Sequence, residues 1–587
     1  MKTLNLFNLK NLLILLAVLC LTACTKLEEK VLDEVLGANA SSPDGALAAA
    51  YDRLGDGTFV DHGAVFSLQE YTTDEALLPT RGSDWGDGGK WRAMHEFTWA
   101  PDNAIVTDNW NMLTNGITRS LTAIREIGNS SHPQKDLFLA EARGLLAYYT
   151  FTTLDLYGQA PYRDPSNEKA PLEIRQAASA IDALITEVEG LIPALASLGE
   201  QSTHNGRFTK EAAYGLLTNM YLNRAVFKDR YATTFNFNEP AVSGSDTDMD
   251  KVIYYSSLLI NHPKFRLNSN YFNNFDIKNS GGSELIWVVV QKIDYIRNGS
   301  NSFAYVCVER NQRASPANRG TNAACISPEF YASWAGNHDD PRFSRKYQYA
   351  DGTWFTNDAV GSVPATDIVP KSNNLPWFHF TRGIVAGPQY GPKLNAAGGF
   401  EMTTDGRIKV SELYMEKSTT TRMDFTPELN FSNPSQAVFA QNQINRGARC
   451  FKYEFDPEEG NGTSNVDIPL FRLGVIYTMR AEAYFRKGQT AQALADINLL
   501  RTSRTRESLY GNAAGVPIAS LTEAALYKEI AFETYWELFR RPQMIRFGKY
   551  ELPFSAKPVS SPQKRIFPIP QSTLDVTKDF KQNPGYN

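Results

Sequence analysis

DIPLFRLGVIYTMRAEAYFRKGQTAQALADINLLR, Asp467–Arg501, sets bulky and small residues in a fixed order. Tyr484, Gly488, Ala493, Ile497 and Leu500 follow one another at spacings of 4, 5, 4 and 3. Steps of three and four keep side chains on one helix face. Glycine at the step of five marks a turn between two helices. Ala493 is small where the two helices must cross, and Ile497 and Leu500 supply core.

These are the spacings of the tetratricopeptide helix hairpin. Thr209 to Ile260 has the same form, with Tyr221 and Ala225 in matching places and a polar insertion from Asp229 to Asp248. Within it, Asp246-x-Asp248-x-Asp250 starts like a calcium loop. Lys251 then stands where glycine is needed and Ser257 where glutamate is needed, so an acidic solvated insertion is expected. Further helices are predicted from Ser42-Pro43-Asp44 to about Gly55, from Pro101 to beyond Ile127, over Leu137–Gly158, over Ala178–Leu195 and over Glu523–Phe539. Between 265 and 460 the helical period fades. Glu284–Gln291 (ELIWVVVQ) reads as a buried strand holding Trp287 in the core, set among long loops. The tail from Lys564 is extended.

Asp74–Trp99 (DEALLPTRGSDWGDGGKWRAMHEFTW) is the stretch this scaffold is expected to present. Four glycines between Gly82 and Gly89 argue for a loop. It offers Trp85 and Trp91 beside Arg81, Asp84, Asp87 and Arg92. An indole face with fixed donors and acceptors around it suits a ring that is apolar on one side and hydroxylated at its rim, as a sugar is. The plainer alternative buries one tryptophan and uses Arg81, paired to Asp74 or Asp84, to pin the loop.

The chain has 587 residues, 12% of them aromatic, and a net charge of −5. That balance argues against a nucleic-acid partner. Lys2 and Lys10, the apolar run Leu12–Leu19 and then Leu21-Thr22-Ala23-Cys24 read as a signal peptide over 1–23 ending at a lipidated Cys24. Lipid there anchors a protein to a membrane without spanning it. Residues 24–42 read as a tether. Cys307, Cys325 and Cys450 remain, and sequence leaves a Cys307–Cys325 disulfide open. The seven histidines are dispersed, and H-E-x-x-H, G-x-S-x-G, G-x-x-x-x-G-K-[ST] and G-x-G-x-x-G are all missing. No metal or cofactor is expected.

The Cys24 motif, TTDEALLPTRGSDWGDGGKWRAMHEFTW, EARGLLAYYTFTTLDLYGQAPY, SELIWVVV, PEFYASWAGNHDDPRF, DIPLFRLGVIYTMRAEAYFRKG and FPIPQSTLDVTKDFKQNPGY together resemble the SusD/RagB family of outer-membrane nutrient-binding lipoproteins. The resemblance implies a mainly α fold: a tetratricopeptide-like helix-hairpin bundle with a loop-rich second lobe containing a few short strands. It divides the mature chain into helical parts at 43–264 and 461–587 with a variable lobe at 265–460. It implies a surface lipoprotein that binds oligosaccharides without cutting them and serves a SusC-like TonB-dependent transporter. A peptide-binding scaffold and a glycoside hydrolase are the rival readings. Carried over, the ligand residues are Asp74, Arg81, Trp85, Asp87, Trp91 and Arg92. The second wall is expected from Tyr295, Asn298 and Trp334, with Trp354 and Trp377 behind. One departure concerns a Glu-Gly-x-Arg pattern near the C-terminus. Here the stretch is EIAFETYWELFRRPQMIRF; Arg540 or Arg541 takes the arginine role and the glycine is missing.

Overall fold

The computed structural model describes residues 42–586 apart from 83, 168, 201–202, 278, 294–301, 346, 349–353, 356–360, 364–376, 430–443, 459–461, 507–512 and 556. The stretch read as a signal peptide, Cys24, Tyr295 and Asn298 lie outside the described residues, as does the expected tether up to residue 41.

The helices are α1 (Pro43–Arg53), α2 (Val65–Gln69), α3 (Lys90–Glu96), α4 (Ala104–Gly128), α5 (Lys135–Tyr157), α6 (Ala177–Leu191), α7 (Lys210–Lys228), α8 (Asp248–Ile260), α9 (Ser302–Cys307), α10 (Pro328–Ser333), α11 (Leu473–Arg486), α12 (Thr490–Ser503), α13 (Glu523–Thr534), α14 (Arg540–Arg546) and α15 (Gln571–Val576). Their ends follow local chemistry. The Ser42 hydroxyl accepts the Gly45 N–H ahead of Pro43, and Thr209 caps Ala212 in the same way. Gly158 ends α5 at φ 70°, where a side chain would be strained.

Neighbouring helices pack in sequence order: α4 on α5, α5 on α6, α6 on α7, α7 on α8. After the second lobe, α11 closes on α8 and α12 and α13 pack on α11. Two glycines permit close approaches to these helices. A Cβ at Gly116 would lie under 3.0 Å from the Tyr149 ring, and one at Gly144 under 3.0 Å from Phe208. The hairpin read from Tyr484 to Leu500 is α11–α12, with its turn at Gly488 (φ 73°).

Three expectations change. Helix α11 starts later than Asp467, because Ile468–Arg472 pairs antiparallel with Leu285–Val289 as a buried two-stranded sheet. The insertion before α8 is not solvated at its acidic end: Asp248 is buried against Arg224 (3.0 Å), and Asp250 completes a capping box with Thr247. The last long helix breaks at Thr534. Trp536 and Leu538 take φ of 60° and 71° in the link to α14. Such values cost a non-glycine residue roughly 1–2 kcal/mol each. Here buried carboxylates hold them: Glu75 accepts the Trp536 N–H at 3.2 Å and Glu70 the Leu538 N–H at 2.7 Å. Glu537-Leu538-Phe539-Arg540 keeps the register of Glu-Gly-x-Arg, with leucine where the glycine stands and in the left-handed conformation that glycine favours. Arg540 clasps Asp74 through two contacts of 2.6 Å.

The helical part and the second lobe meet at a buried ionic seam. Arg472 bonds Glu284 (2.8 Å), Glu533 (2.7 Å) and Glu537 (2.7 Å). Arg504 bonds Glu284 and Glu533, each at 2.7 Å, and Lys452 bonds Glu537 at 2.6 Å. Arg342 bridges Asp340 (2.8 Å) and Glu529 (2.9 Å), and Arg501 meets Glu529 at 2.5 Å. Five cations thus face five carboxylates, so the seam is neutral. Burial alone would raise the Glu284 pKa, but Arg504 and Arg472 overcome it and bring it to about 2. Gly474 opens α11 against this cluster. A Cβ there would fall under 3.0 Å from atoms of Glu533, Arg472 and Glu284.

Cys307, Cys325 and Cys450 are all buried and free, so the open disulfide does not form. No described helix is long and apolar enough to cross a membrane.

Candidate functional site

The glycine-rich stretch divides in two. Arg81 and Asp84 exchange backbone hydrogen bonds of 2.8 and 2.9 Å, which closes a turn with Gly82 at φ 62°. Trp85 follows at φ 60°, a strained value for an aromatic residue. The chain then enters a short turn at Asp87–Gly89 and helix α3. Trp91 and Arg92 stand on that helix and not in a loop, which corrects the expectation.

Trp85 is only partly buried, against the edge of the core. Its indole N–H donates to the Thr321 carbonyl at 3.2 Å. Its ring stands edge-on to His62 at 5.5 Å and to Trp91 at 6.1 Å. Trp91 is the layer beneath: 6% exposed, its N–H donates to the Asp87 carboxylate at 2.7 Å. His62 packs against both indoles, its ring 5.3 Å from that of Trp91, and burial lowers its pKa. Eight of the nine tryptophans have described side chains. Trp91, Trp99, Trp110, Trp287, Trp334, Trp377 and Trp536 are buried, and Trp85 is not.

A charged rim flanks Trp85. The Asp84 carboxylate takes Arg310 at 3.0 Å and Lys417 at 2.5 Å. Glu416 takes Arg319 directly and Arg310 at 3.5 Å. Arg319 and Lys417 keep 46% and 43% of their side-chain surface exposed. These cations can swing onto a ligand at little cost, since exposed pairs contribute only about 0–1 kcal/mol.

The remaining sequence candidates are placed as follows. Asp87 is exposed beside Trp91. Arg92 pairs with Glu96 at 3.5 Å along α3. Asp74 gives both oxygens to Arg540, so it braces the C-terminal link. Arg81 is buried and pins the loop through the carbonyls of Ala323 (3.2 Å) and Arg446 (2.5 Å), not through Asp74 or Asp84. Trp334 is 0% exposed and stacks on Phe532 at 3.5 Å, so as placed it offers no wall to a ligand. It sits just after α10, and that helix carries it into the core. Trp354 lies in a short strand, and its side chain is outside the described residues.

Arg310, Arg319, Glu416 and Lys417 were not found from sequence. The only signal was an arginine-rich loop, ERNQRASPANRG from Glu309 to Gly320, and the hairpin Tyr414–Arg422 gave none. Among the described residues no group of three or more His, Cys, Asp or Glu side chains is placed to hold a metal ion.

Residues 283–586 match the family model described as SusD family. Over 547 residues the chain is 25% identical to the starch-binding protein SusD of Bacteroides thetaiotaomicron, spanning 89% of this chain and 85% of that protein. A laminarin-binding SusD-like protein shares the fold with a TM-score of 0.61 at 17% identity, over 93% of this chain and 99% of its own. Surface glycan-binding protein A from Bacteroides thetaiotaomicron, solved in complex with laminarihexaose, gives 0.60 at 16% identity over 92% and 98%.

Proposed function

This chain belongs to the SusD family, and from that premise we propose that it is a non-catalytic glycan-binding lipoprotein of the cell surface. It captures oligosaccharides on the Trp85 shelf and delivers them to a SusC-like TonB-dependent transporter in the outer membrane. Lipid on Cys24 tethers it there. The observation that carries the glycan reading is Trp85 itself. It is the tryptophan left partly open among those whose side chains are described, in a strained backbone conformation, beside exposed cations. The C–H face of a pyranose lies on the indole, and Arg310, Arg319, Asp84 and Lys417 bridge its hydroxyls. The relatives it resembles, a starch-binding and a laminarin-binding protein, support the same class of ligand.

Affinity electrophoresis of the purified protein through gels containing starch, laminarin and other polysaccharides tests the reading. Retardation by at least one glycan, with no new reducing ends released from it, is the expected result. Mobility unchanged in every gel, or steady release of reducing ends, contradicts it.

A further inference from the structure

The second lobe contains a cavity of about 210 Å³. It is lined by Trp377, Phe380, Phe451, Asp276, Arg382 and Glu454, among others. It lies against Ala304 of α9, the helix whose Ser302 hydroxyl accepts the His62 N–H below Trp85. None of its lining residues belongs to the Trp85 shelf.

The polar groups of this cavity are unequally satisfied. Arg382 is a fixed post. It donates to Asp276 at 2.5 Å and to the carbonyls of Phe451 (3.0 Å), Lys452 (2.5 Å) and Phe275 (3.3 Å). Asp276 spends one oxygen on it, and Glu454 spends one oxygen on the Ile277 N–H at 2.8 Å. The second oxygen of each carboxylate has no protein hydrogen bond among the described residues, and the two side chains keep 29% and 22% of their surface open. The Trp377 indole is buried, and its N–H has no acceptor. The indoles of Trp287, Trp334 and Trp536 also leave their N–H unpaired, but those rings are in the core and line no part of this cavity. The lining thus combines an aromatic wall, one buried indole N–H with no acceptor, and two partly exposed carboxylates, each with an oxygen free to accept from a ligand.

We propose that this cavity is a second binding site, separate from the Trp85 shelf, that takes a single pyranose residue. The ring stacks against the aromatic wall. One ring or hydroxyl oxygen accepts from the Trp377 N–H, and two hydroxyls donate to Asp276 and Glu454. The choice of a sugar rests on the glycan reading above, while the site itself rests on its own geometry.

The test uses the full chain labelled with 5-fluorotryptophan and one-dimensional fluorine spectra. The Trp377→Phe variant assigns the Trp377 resonance by its loss, and unchanged positions of the other resonances show that the variant folds. The probes are the methyl glycosides of glucose, galactose, mannose and N-acetylglucosamine, with N-acetyltryptophanamide as a peptide-like control. The Trp377 resonance is expected to move with at least one glycoside, equally in wild type and in Trp85→Ala. Glu454→Gln is expected to weaken that binding by about tenfold, the loss of one charged hydrogen bond. A resonance that stays fixed with all the glycosides, moves only when Trp85 is intact, or moves only with the amide overturns the proposal. Failure of the shelf reading shows separately, as loss of polysaccharide retardation.

Discussion

The seam between the two lobes and the rim around Trp85 both consist of arginines and lysines bound to carboxylates, yet they serve opposite ends. In the seam, Arg342, Arg472 and Arg504 are wholly buried and meet their partners in pairs or threes. None can leave without stranding a charge in a medium that cannot solvate it. At the rim, Arg319 and Lys417 make single contacts with nearly half their surface in water. Breaking those contacts costs little, and the freed cation can serve a ligand. The residue types are the same, and burial decides whether they are locked into scaffold or left able to move.

The contrast is broken most severely in the seam. Arg472→Met removes one cation from three buried carboxylates and is expected to cost about 3–5 kcal/mol, read as a fall in the urea midpoint. Gly474→Ala forces a methyl group into the same cluster and should cost about 1–3 kcal/mol by the same measurement. Acid attacks the seam without mutation. The Glu284 pKa is depressed from 4.5 to about 2, so its contribution is complete above pH 4.5 and is lost as the pH falls toward 2. Glu75 moves the other way, to about 7, so its contribution is lost as the pH rises from 4.5 toward 7, and it fades toward no slope as the pH falls below 4.5 and the unfolded group too becomes protonated. Urea midpoints should therefore decline steeply between pH 4.5 and 2, and a flat profile across that window would remove Glu284 from the account. At the rim, Lys417→Ala should shift the urea midpoint by an amount equivalent to less than about 1 kcal/mol. Leu538→Gly sharpens the comparison at the smallest scale. It relieves left-handed strain of roughly 1–2 kcal/mol but gives up partial side-chain burial and gains backbone entropy in the unfolded chain. The net change should stay within about 1 kcal/mol, whereas Leu285→Gly in the buried strand should cost several.

The helical frame was readable because its signals are local. Tyr484, Gly488, Ala493, Ile497 and Leu500 lie within one hairpin, and caps such as Thr209 and Gly158 act within a turn. The seam was not readable as a unit. Glu284, Lys452, Arg472 and Glu533 come from four distant segments, and each alone reads as an ordinary surface charge. Glu529, Glu533 and Glu537, spaced by four, were the one available hint. Around the candidate site, sequence singled out the Trp85 loop but gave Arg81 the wrong partners, Asp74 or Asp84, where the side chain holds the Ala323 and Arg446 carbonyls. It could not separate Trp85 from Trp91, because the two indoles differ only in which faces the core. Nor could it foresee that Trp334 would stack on Phe532, a partner almost two hundred positions away.

The most direct test of the claim that an open indole on a rigid frame holds glycan sets Trp85→Ala beside Trp334→Ala. On a polysaccharide that retards the wild type, Trp85→Ala should weaken binding by about 2 kcal/mol, roughly thirtyfold, with a smaller loss of melting stability than Trp334→Ala because the indole is only partly buried. Trp334→Ala should melt earlier by the equivalent of about 3–5 kcal/mol while its folded fraction binds as the wild type does. Full retardation of Trp85→Ala alongside loss of binding in folded Trp334→Ala would contradict the account.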